Sequence, residues 1–103
     1  MNAVDQINIR QVFFNNWITM QRQTIGDQLF PIVQSNIAAG YDIMVQSRLW
    51  HPAITAGKIV GMFLDGLSFE ELQRAQIDSP YLAELMVDAC EIIMESVGQK
   101  PFA

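Results

Sequence analysis

Apolar positions recur at helical spacing along most of the chain, and they predict an all-α protein of about five or six short helices. Over residues 4–20, Val4, Ile7, Phe13, Phe14, Trp17 and Ile18 trace an amphipathic stripe that Ile9 and Val12 broaden. This reads as a flanking helix that packs Phe13 and Trp17 onto the rest of the fold. A second helix is expected over 23–38, with Thr24 as N-cap and Ile25, Leu29, Ile32, Val33 and Ile37 facing inward. Pro31 lies inside it and predicts a kink near Asp27, because proline has no N–H to give and crowds the preceding turn. Gly40 reads as a helix stop. Tyr41, Met44, Val45 and Leu49 then predict an extra short helix ending before His51-Pro52, its apolar side covering Phe13 or Trp17.

The second half is better punctuated. A helix is expected over 54–64, ended by Gly66. Ser68 and Glu71 form a capping box, with Leu67 and Leu72 placed as its hydrophobic staple. Ser79 is expected to cap the last helix, with Pro80 at its first position. Leu82, Leu85, Met86, Ala89, Ile92, Ile93 and Val97 form its apolar stripe, and Glu84, Asp88, Glu91 and Glu95 its wet face. Residues 99–103 read as a loose tail. The organisation is thus a flanking helix (1–21), a domain (22–98) with an insert at about 35–50, and the tail.

At 103 residues the chain suits one domain, and a composition that is 50% hydrophobic supports a core without disulfide or metal. A net charge of −5 with six lysines and arginines disfavours a phosphate-tracking groove, so no direct nucleic-acid binding is expected. The lone Cys90 cannot form an intrachain disulfide, no signal-peptide pattern opens the chain, and no apolar run suits a bilayer. We expect a cytoplasmic protein with no membrane partner. No phosphate-cradling loop, metal cluster or nucleophile–base pair stands out, so neither enzymatic activity nor a cofactor is expected. His51 before a proline reads as a turn residue, and Cys90 as a small hydrophobe.

One stretch calls for more than packing. In Gly57-Lys58-Ile59-Val60-Gly61-Met62-Phe63-Leu64-Asp65, two glycines stand four residues apart in a helical run. Each costs about 1 kcal/mol against alanine, which suggests a close approach to the backbone by a helix or a peptide. Upstream, Gln23, Gly26, Asp27 and Phe30 share one helix face, and Gly26 would leave the face of Phe30 uncovered on one side. On periodicity alone Phe30 is a core residue.

The Gly57–Asp65 stretch resembles the signature of the MLLE domain, the peptide-binding module of cytoplasmic poly(A)-binding proteins, whose usual form is Lys-Ile-Thr-Gly-Met-Leu-Leu-Glu. Gly26-Asp27-Gln28-Leu29-Phe30-Pro31-Ile32-Val33-Gln34 is similar to the family's Gly-Glu-Arg-Leu-Phe-Pro-Leu-Ile-Gln. His51-Pro52, Asp78-Ser79-Pro80 and Val87-Asp88 match further family positions, so the likeness covers most of residues 23–97. Val60 stands where the family has threonine, Phe63 where it has leucine, and Val97 near a frequent histidine.

The resemblance implies a right-handed superhelix that binds linear motifs from disordered segments of translation or mRNA-regulatory proteins, through a phenylalanine and a leucine anchor. By position, Gln23, Gly26, Asp27 and Phe30 would form one side of the phenylalanine pocket, and Gly57, Lys58 and Val60 the other. Met62, Phe63 and Leu64 would serve the leucine pocket, with Ile93, Met94 and Val97 as its wall. A monomer is expected. The competing reading is a structural helical domain that oligomerises through the N-terminal helix and the insert.

Overall fold

The first half of the chain is one helix where the pattern predicted three. The computed structural model describes residues 3–98, with side chains from residue 9 onward. Val4 and Ile7 of the expected stripe, and the tail 99–103, lie outside the residues so described. Helix α1 spans Ala3–Gln46, α2 Ala56–Gly66, α3 Phe69–Ile77 and α4 Ser79–Ser96. Among the described residues there is no strand, and the helices number four.

Continuity of α1 has local causes. Thr24 is not a cap but sits mid-helix, its hydroxyl donating to the Met20 carbonyl at 3.0 Å. Pro31 is accommodated within the helix, and Asp27, whose carbonyl loses its partner there, is exposed to water. Gly40 does not stop the helix either; no heavy atom lies within 4 Å of where its Cβ would be. The stop comes at Arg48, which takes a left-handed conformation (φ 57°). Leu49 N–H donates to Met44 O at 2.8 Å and Arg48 N–H to Val45 O at 3.1 Å. This is the Schellman arrangement, and the buried Leu49 supplies its apolar contact. The segment after it turns back, Trp50 meeting Tyr41 edge-on at 5.3 Å. His51 takes its expected turn role, Nδ1 accepting from the Ala53 N–H at 3.0 Å.

The expected insert helix therefore does not exist as an element, and it cannot cover Phe13 or Trp17. Trp17 and Tyr41 are 24 residues apart on one helix, about 36 Å. Phe13 is 68% exposed, and Trp17, though half exposed, reaches Phe69 of α3 at 6.4 Å. Among the described side chains the first buried one is Ile25, so the N-terminal half of α1 projects from the core, and the full 44-residue helix accounts for the 63 Å long axis of the molecule.

The core gathers Ile25, Leu29 and Val33 of α1, Ile59, Val60 and Phe63 of α2, Leu72 and Ala75 of α3, and six residues of α4. Ile32 and Ile92, expected inward, are 37% and 56% exposed, and Val97 is 38% exposed. On α4 the inward line runs through Ala89 and Cys90 to Ile93 and Met94 instead.

The caps fix the other ends. Thr55 accepts from Lys58 N–H to start α2. Ser68 and Glu71 make the expected capping box at the start of α3. Asp78, rather than Ser79, caps α4, accepting from Tyr81 N–H at 3.1 Å and placing Pro80 within the first turn. Gly66 is the last residue of α2 rather than its stop. There Arg22 supplies the missing donors: Nη1 gives to Leu64 O at 2.7 Å, and both Nη1 and Nη2 reach Leu67 O at 3.3 Å. A guanidinium at a helix C-terminus meets the negative end of its dipole.

Candidate functional site

Helix α1 lays Phe30 beside Gly57 at the start of α2, where Gly57 and Lys58 are exposed. Gln23 and Asp27 are exposed too, but α1 runs antiparallel to α2, and Arg22 and Gly26 meet the far end of α2 at Leu64, so Gln23 is not brought to the Phe30–Gly57 pair. Phe30 keeps 42% of its surface, with Cε2 lying 3.8 Å from where a Gly57 Cβ would stand. The result is a crease with an aromatic wall and a bare stretch of backbone. Phe30 is thus not the fully buried core residue that periodicity favoured.

Gly26 plays a different part from the one expected. It is buried, and a Cβ there would meet Leu64 Cδ1 at 3.0 Å. Its bareness lets α2 approach α1 and leaves no opening beside Phe30 on that side. Gly61 has nothing within 4 Å of its Cβ position, so no helix approaches it.

Val60 is 6% exposed and belongs to the core rather than to the crease. Of the implied leucine pocket, Phe63, Ile93 and Met94 are likewise core residues. Leu64 is half-buried against Gly26, Met62 is half-buried at the core edge, and Val97 is exposed.

Three groups with shifted titration, Glu71, Asp78 and Tyr81, sit at the α3–α4 corner. Hydrogen bonds from Ser68 hold the Glu71 carboxyl below its ordinary value, and the Tyr81 N–H does the same for Asp78. Arg74 pairs with Asp78 at 3.2 Å and lies 4.0 Å over the Tyr81 ring. These are capping interactions on an exposed surface. Burial pushes the Cys90 thiol up, away from the reactive thiolate. Among the described residues no group of three or more histidine, cysteine or carboxylate side chains is placed to hold a metal, and no helix is long and apolar enough to cross a membrane.

On the other side of α1 lies an apolar groove of about 480 Å³ between that helix and α4. Ile32, Gly40 and Ile43 line one wall, Ala83, Met86 and Val87 the other. The sequence reading missed it because Gly40 looked like a break, and a continuous α1 is what makes the wall. Comparison with protein-family models, curated proteins and solved structures finds no match to the chain.

Proposed function

We propose that the chain is a protein–protein interaction module of MLLE type, which captures short linear motifs by seating an aromatic anchor in the α1–α2 crease. The observation that carries this reading is the half-exposed ring of Phe30 beside the exposed, side-chain-free Gly57. A peptide phenylalanine stacked there gains an offset ring contact, and glycine lets the peptide backbone come close. The exposed Lys58, next to Gly57, and Asp27, three residues before Phe30 on α1, would select the charges beside the anchor. Burying one such anchor is worth roughly 1.5–3 kcal/mol, and ordering a disordered segment offsets part of it. Micromolar affinity, about −8 kcal/mol, is the scale to expect for two anchors.

The partners on this reading are disordered segments of cytoplasmic translation or mRNA-regulatory proteins, and the fold would share the family's right-handed superhelical winding. With Phe63, Ile93 and Met94 in the core, a second, leucine anchor would have only the half-buried Met62 and Leu64 and the exposed Val97 left to meet it. Binding should therefore depend more on the phenylalanine than on the leucine. Calorimetric titration with a motif peptide and its two single-alanine versions tests this. Loss with the phenylalanine removed supports the crease; equal binding by all three peptides rules it out.

A further inference from the structure

We draw no further inference here: the strongest candidate, the apolar groove between α1 and α4 walled by Ile32, Ile43, Met86 and Val87, carries none, because nothing in the structure shows what covers it.

Discussion

At the scale of single residues, four glycines separate into different roles by what stands next to them. Gly26 admits Leu64, Gly57 lies under the edge of Phe30, and Gly40 and Gly61 face open space. Gly61→Ala should therefore stabilise the chain by about 0.5–1 kcal/mol, the helix-propensity difference, in urea denaturation. A loss of stability would mean that something does approach that position. Gly57→Ala has room for its methyl group and should raise stability by a similar amount, yet it covers the bare backbone and should weaken an aromatic-anchored peptide at least tenfold. Phe30→Ala should also remove peptide binding while costing the fold only about 1 kcal/mol, because much of the ring is already in water. The exposure of Phe30 was not legible from periodicity, which placed it in the core; only its likeness to a known motif pointed outward.

At the scale of elements, the sequence announced the second half and misled on the first. Ser68 and Glu71 are a local signal with a local cause, and they hold. Asp78 displaced Ser79 as a cap because its carboxylate, one residue earlier, reaches the Tyr81 N–H. In α1, Gly40 was a poor stop signal because a glycine costs a helix only about 1 kcal/mol, while Val33 and Leu49 on either side are buried. The true terminator, Arg48, has no compositional mark. Folding holds the Glu71 and Asp78 carboxyls below their ordinary values, so the stability they give is complete above the unfolded range, about pH 4. It is lost as pH falls through the lowered folded values. Asp78→Asn keeps a capping oxygen and should flatten the acid side of the melting-temperature profile; an unchanged profile would remove Asp78 from the account. Arg22→Met, which leaves the α2 carbonyls without their guanidinium, should cost about 1.5 kcal/mol or more in urea denaturation.

At the scale of the whole molecule, α1 is the feature from which the rest follows. One end of it builds the core with α2, α3 and α4, and the other projects beyond the core. The molecule's Cα radius of gyration, 17.4 Å, exceeds the roughly 13 Å of a compact chain this long. Such a shape was not legible from apolar spacing, because a stripe that runs on past the core looks the same as one that packs. What the spacing did convey was the all-helical class and most of the buried set, from Ile25 to Ile93. The claim on which the function rests is that the Phe30–Gly57 crease takes a peptide ring. The most direct measurement is an amide-resonance titration of the chain with a phenylalanine-anchored motif peptide, run beside the Gly57→Ala variant. Saturable shifts centred on Phe30, Gly57 and Lys58, at least tenfold weaker in the variant, are the predicted result. Shifts confined to the α1–α4 groove, or none at all, would contradict it.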